Sequence, residues 1–334
     1  NEPYLPAGYK VSETLSDFEQ GMLVAETQNN RPFAYVESDF VLVDKVSDMH
    51  PVQREGVLEQ AVILEKPNAM MQPLLFNPTF ISHSGYLETF SGIELETNFQ
   101  LNESVEFTVT EANSALVLQF DQPEDFVNQE VFLSIEGITF TPPETFPGAR
   151  ENTSYAINTH FNEQVKGINQ LNKYSFSSYF KRENILLHLN EVTQPQLSMG
   201  LVFEDEGLYE FDRISVVSRP ANPAQSAAYA DRRQRNNLEL DYFSDESIKG
   251  HIETEGGMLV TSMPYARGWT VSVDGEEVDK EKVNVGFIGI PLNAGEYVIE
   301  FVYETPFLKI GLFLTIFGVA GITIYEFWWR KRLA

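Results

Sequence analysis

The chain has 334 residues, 43% hydrophobic and 22% charged, with a formal net charge of −26 and no cysteine. That composition suits folded domains, and the length suits about two of them. The acidic excess argues against nucleic acid as a partner, because phosphate neutralisation needs clustered Lys and Arg, and the absence of thiols excludes disulfide frameworks, zinc–thiolate sites and cysteine nucleophiles.

Residues 1–75 read as a small mixed α/β segment. Strands are expected at Met22–Glu26 and Phe40–Val43, and a helix near Asp48 with Pro51 in its first turn. Met70, Met71 and Pro73 read as a linker. Residues 76–220 read as a β-sandwich of jelly-roll type, because apolar residues alternate with polar ones in several short runs. Val105, Phe107 and Val109 share one face, as do Leu116, Leu118 and Phe120, then Val131, Leu133 and Ile135, then Ile185, Leu187 and Leu189, and finally Tyr209 and Phe211. Residues 221–247 read as a connector helix and linker, with Asn222 as N-cap, Pro223 at the first helical position, and Arg232, Arg233 and Arg235 in the last turn. Residues 248–305 read as a small β-sandwich. In it Trp269, Val271 and Val273 point inward, Asp274-Gly275 forms a hairpin turn, and Tyr297, Ile299, Phe301 and Tyr303 line one face. The expected fold class is therefore mainly β, with antiparallel sandwich or jelly-roll domains, a small mixed N-terminal part and one C-terminal transmembrane helix.

That helix is expected at 306–329, followed by a basic tail at 330–334. From Ile310 to Trp329 the one ionised side chain is Glu326, and about 20 residues at ~1.5 Å each match one hydrocarbon core. Trp328 and Trp329 suit the interface, and Arg330-Lys331-Arg332 suits the cytoplasmic side. Residues 1–305 are then extracytoplasmic. Residues 306–334 carry four basic side chains and one acid, so the total of −26 leaves −29 on the rest. The first residues lack the basic and apolar regions of a secretory signal. The expectation is that an earlier membrane helix of a longer protein delivers the N-terminus.

No motif for chemistry is present. The histidines at 50, 83, 160, 188 and 251 lack the spacings that put two imidazoles on one metal. His188, between Leu187 and Leu189, is expected to face solvent. Glu204-Asp205-Glu206-Gly207 reads as a hairpin turn, and Asp121, Glu124 and Asp125 lack the spacing of a calcium loop. No catalytic residue and no metal site are assigned. Tyr174 and Tyr179, in an aromatic stretch with Phe176 and Phe180, are candidates for stacking on sugar rings, with core packing the equal alternative.

Ser262-Met263-Pro264-Tyr265-Ala266-Arg267-Gly268-Trp269, continuing to Val273-Asp274-Gly275, resembles a signature of the bacterial YfhO family. Val285 to Ile290, Gly295-Glu296-Tyr297, Ser247 to Ile252 and Gln53 to Leu58 are similar to other parts of it. The matching signature residues are Pro264, Tyr265, Gly268, Trp269, Asp274 and Gly275, and read on their own they are structural: turns, a buried indole and a hairpin. The resemblance implies the extracytoplasmic region of a polytopic GT-C-type glycosyltransferase of the bacterial cell membrane. Such an enzyme uses a polyprenyl-phosphate-linked sugar, for teichoic acid or another envelope glycopolymer. Its presumed catalytic loop has no counterpart here, so the resemblance implies no catalytic residue and no cofactor in this chain. The implied partners are the lipid bilayer, an upstream transmembrane domain of the same protein and a glycopolymer acceptor. The rival readings are a membrane-anchored carbohydrate-binding or adhesion ectodomain and, last, a self-contained hydrolase.

Overall fold

The computed structural model describes residues 9–11, 24–27, 31–75, 79–95, 99–143, 154–171 and 182–333. It is mainly β, and the chain divides into two compact units. One comprises Asn1–Asn29, Met49–Gly56 and Asn77–Ser226, the other Asn30–Asp48, Val57–Phe76 and Ala227–Ala334. Four α-helices are described: α1 (Val43–Val46), α2 (Pro51–Gln60), α3 (Pro223–Arg235) and α4 (Leu308–Leu333).

The first unit is built from antiparallel sheets. A five-stranded sheet runs in the order Gln164–Gln170, Tyr155–Phe161, Ser198–Phe203, Ser114–Phe120, Gly85–Thr89. Two four-stranded sheets are centred on the pairs Gly207–Phe211 with Val105–Val109 and Gln129–Glu136 with Arg213–Pro220. The alternating runs at 105–109, 116–120, 131–135 and 209–211 all bury their apolar members in one core. Register explains the packing. Phe107 lies opposite Tyr209, and Phe203 meets both rings at centroid distances of 5.1 and 4.8 Å. Each such aromatic contributes roughly 1.5–3 kcal/mol by leaving water.

Two expectations change here. The acidic run at 204–207 is a turn, but it joins strands of two different sheets and so is not a hairpin. Its acids hold the crossing: Asp205 Oδ2 accepts from Ala156 N at 2.8 Å, and Glu204 Oε1 accepts from Asn158 Nδ2. His188 does not face open solvent. A register shift between Val131 and Phe132 sets His188 opposite Phe132, and the rings stack 4.7 Å apart. Burial pushes the His188 imidazole pKa down.

His83 is buried, stacked 3.8 Å from Phe126, with Nε2 2.9 Å from Ser218 Oγ. Desolvation lowers its pKa from 6.5 to about 4. A histidine whose folded pKa is depressed stabilises fully above its unfolded value, and that contribution is lost as pH falls through the interval between the two. Chemical denaturation at stepped pH should therefore show stability falling between pH 6.5 and about 4, with roughly 2–3 kcal/mol of the loss belonging to His83. His83→Phe, which keeps the stack, should remove that part of the slope.

The second unit has two sheets. One runs Glu239–Phe243, Ser247–Thr254, Gly295–Tyr303, Trp269–Val273, Glu276–Val278; the other runs Ala34–Glu37, Gly257–Pro264, Phe287–Leu292, Glu281–Val283, Val62–Leu64, Asp39–Leu42, Gln72–Pro73. Ile248, Ile252, Leu259, Ile290, Ile299 and Phe301 belong to the core cluster that both sheets supply. Strand pairing crosses the divisions drawn at 75/76 and 247/248. Ala34–Glu37 pairs with Gly257–Pro264, and Glu239–Phe243, placed in the linker, is an edge strand on Ser247–Thr254. Nor is 70–73 a linker: Met71 is buried, and Gln72–Pro73 pairs in parallel with Asp39–Phe40. Asp39–Leu42 also pairs in parallel with Val62–Leu64 across α1 and α2, a βαβ crossover. α2 begins at its proline, and just before it His50 Nδ1 accepts from Val52 N and Gln53 Oε1 accepts from His50 N. Asn222 caps α3 as expected, accepting from Gln225 N at 3.1 Å.

The last turn of α3 is occupied. Arg233 Nε donates to Glu37 Oε1 at 2.9 Å and Arg232 Nη2 to Glu37 Oε2 at 2.6 Å, with Glu37 only 1% exposed. Arg233 Nη2 also donates to the carbonyls of Leu58 and Glu59, and Arg232 to that of Gln60. Burial pushes the Glu37 pKa up, and the two guanidiniums pull it back. Removing one partner of a buried pair strands the other charge. Arg233→Ala should lower stability by roughly 3–5 kcal/mol in equilibrium unfolding, whereas Arg235→Ala, in the same turn, should be nearly neutral.

α4 carries an apolar stretch, Leu308–Glu326, long enough to cross a bilayer, with its side chains exposed. Thr315 and Thr323 hydroxyls donate to the carbonyls of Gly311 and Val319, one helical turn back, so both are satisfied within the helix. At its far end Arg332 lies 4.3 Å from the Trp328 ring.

Candidate functional site

The six signature residues do not converge on one point. Pro264, Tyr265, Gly268 and Trp269 lie at the start of the strand Trp269–Val273, and Asp274 and Gly275 at its end, about 17 Å away for five residues. Asp274 (φ 52°) and Gly275 (φ 85°) form the tight turn into Glu276–Val278, as the Asp-Gly pair predicts. Asp274 also ties the turn to the neighbouring strand, accepting from Val298 N and donating to Val298 O, each at 2.8 Å.

At the other end, Gly268 is present because nothing larger fits. A Cβ there would lie 2.4 Å from the Tyr303 ring and 2.7 Å from Glu304 O. Glu304 N donates to Gly268 O at 2.9 Å, so the signature turn is laced to the chain four residues before α4. Trp269 is half-buried, not fully buried as its alternation implies, and packs on Tyr303 at 5.1 Å. Its position at the strand end explains this: like Val273 at the other end, it packs on the rim of the core in which Val271 is fully buried. Lys280 Nζ donates to Trp269 O and sits 5.7 Å from the Tyr265 ring centroid. Sequence reasoning missed Lys280 and Tyr303 as partners because each becomes one only through strand pairing. Tyr174 and Tyr179 lie outside the described residues.

The Asp274 end frames a groove of about 790 Å³ on the outer face of the five-stranded sheet, lined among others by Arg235, Glu239, His251, Glu253, Asp274 and Tyr297. It forms because alternation sends Ile248, Ile252, Ile299 and Phe301 inward and the polar partners outward. His251 Nε2 lies 3.1 Å from Glu239 Oε2 and its Nδ1 3.3 Å from Asp241 Oδ1. Both ring nitrogens are thus engaged, which leaves none aimed at a reacting group. The groove offers many oxygen acceptors and one guanidinium. It can hold hydroxyl-rich, uncharged ligands, but it has no paired nucleophile and base. Among the described residues, no three His, Asp or Glu side chains converge as metal ligands.

Trp269→Ala should lower stability by about 2 kcal/mol, below the value for a buried indole, and Gly268→Ala should lower it by at least as much through the clash with Tyr303. Thermal unfolding followed by far-UV circular dichroism, which reads the loss of the sheets in both variants, checks both.

The sequence matches the family Bacterial membrane protein YfhO over residues 5–315. A curated relative is the uncharacterized protein YfhO of Bacillus subtilis (strain 168), 20% identical over 127 residues; the matched region is 38% of this chain and 14% of that protein. Solved structures with partial likeness include the binding domain of botulinum neurotoxin serotype D, at 9% identity, covering 66% of this chain and 74% of that one, TM-score 0.25. Another is the arabinofuranosyltransferase AftD from Mycobacteria, at 8% identity, covering 69% and 26%, TM-score 0.21. At those scores neither likeness bears on fold or function. The family match takes in both β units, the signature turn and the start of α4, and the chain belongs to the YfhO family of bacterial membrane proteins.

Proposed function

We propose that this chain is the extracytoplasmic accessory region of a polytopic membrane glycosyltransferase that uses a polyprenyl-phosphate-linked sugar, and that it positions an envelope glycopolymer such as teichoic acid. The observation that carries this reading is the family match, which runs across both β units and into a membrane helix. The 127 aligned residues are only 14% of the Bacillus relative, which fits one region of a larger membrane protein. In this reading the catalytic acid and the groove for the polyprenyl chain belong to the parent's membrane domain. The β units lie outside the cytoplasmic membrane, and the basic end of α4 lies inside it. The groove supports the acceptor role. Its carboxylates suit sugar hydroxyls, and the excess of acid disfavours close approach of a polyanion unless neutral sugars face the protein.

The test is made on the parent enzyme. Its purified region corresponding to this chain should transfer no sugar from a polyprenyl-phosphate donor, and the parent lacking that region should lose or misdirect transfer. Transfer by the region alone would refute the accessory assignment, as would full activity and acceptor choice without it.

A further inference from the structure

The end of the second unit that leads into α4 carries an apolar tip whose exposure folding does not explain. The turn between Glu281–Val283 and Phe287–Leu292 holds Asn284 at φ 47° and Val285 at φ 71°. A β-branched residue in the left-handed region is an energetic outlier. The turn is nonetheless pinned: Asn284 N donates to Ile63 O, Ile63 N to Asn284 Oδ1, both at 2.8 Å, and Gly286 N to Val283 O at 3.1 Å. The strained Val285 side chain packs little, being 66% exposed, with Tyr265 (43%) and Phe287 (38%) also exposed. The turn is joined to the membrane helix by a short backbone path. Gly286 O accepts from Tyr265 N at 2.8 Å, and three residues on, Gly268 O accepts from Glu304 N. Only Thr305, Pro306 and Phe307 then precede Leu308, and Phe307 and Leu308 are themselves largely exposed. Arg267, on the same turn, makes no ion pair with any described residue, which leaves its head free for a lipid phosphate.

We infer that Val285, Phe287 and Tyr265 form a membrane-resting tip, seated in the headgroup–acyl boundary of the bilayer that α4 spans. The path from Gly286 to Leu308 is too short to hold the tip far from that boundary, and a lipid interface takes up aromatic and aliphatic side chains. The tip would act as a second foot beside α4 and fix the tilt of the unit on the membrane.

The chain contains no cysteine, so single probes can be placed cleanly. Val285→Cys, Phe287→Cys, Glu276→Cys and Ile316→Cys, each labelled with an environment-sensitive fluorophore, are reconstituted in phosphatidylcholine vesicles. Glu276 lies at the opposite end of the strand Trp269–Val273 and serves as the aqueous reference, and Ile316 reports insertion of α4. The expected result is quenching at 285 and 287 by lipids doxyl-labelled near the headgroup, about twofold or more above that at 276, with little quenching by aqueous iodide. Iodide access at 285 equal to that at 276 would overturn the inference. Shielding of 285 from both quenchers would overturn it too, since a second copy would then cover the tip. Failure of deep doxyl lipids to quench 316 would remove the span on which it rests. Two tip positions guard against one label disturbing the turn.

Discussion

The second unit depends on one buried carboxylate. Glu37 ends a strand in which all four residues are buried, and its charge is tolerable only because Arg232 and Arg233 close on it from the last turn of α3. The same guanidiniums take up the orphan carbonyls at the end of α2, which a helix must otherwise satisfy by water or a cap. One cluster thus joins a strand and two helix ends. An apolar replacement of all its members could be as stable, but it would not fix which helix end meets which strand.

The local elements were legible because period-two alternation and turn chemistry are written in adjacent residues. The runs at 105–109 and 116–120, the Asp274-Gly275 turn, the Asn222 cap and the apolar stretch of α4 all follow from neighbours within a few positions. Which segments pair across the chain was not legible. Ala34–Glu37 and the stretch Met258–Thr261 that it pairs with are buried throughout and show no alternation, so nothing in either names its partner. Glu37 gave no signal in a chain with 49 acids, and the arginines of α3 read equally well as dipole partners. His188 misled because a bulge changes the parity on which alternation rests.

The signature that reveals the family is compact in sequence and spread in space. One half places Gly268 and Trp269 against Tyr303, where the body gives way to the membrane helix. The other half closes a turn beside the groove. The residues of the signature are therefore best understood as the two ends of a single strut, and their chemistry is that of close packing and tight turning. The groove, by contrast, is built from strand positions that no short motif marks, since any outward-facing polar residue satisfies the alternation.

The nested course of the chain has a consequence for how the protein is made. Glu37 is synthesised 196 positions before Arg233, and the whole of the first unit's sandwich is translated in between. At roughly 5–20 residues per second, the strand Ala34–Glu37 waits about 10–40 s with its edge and its carboxylate unmatched. By the end of that interval the first unit has its full sequence and can close, while the second is still an open half-sheet. Biogenesis therefore has a defined order and a vulnerable window, one in which a holding factor or nearby membrane would shelter the early strands until the last segment arrives.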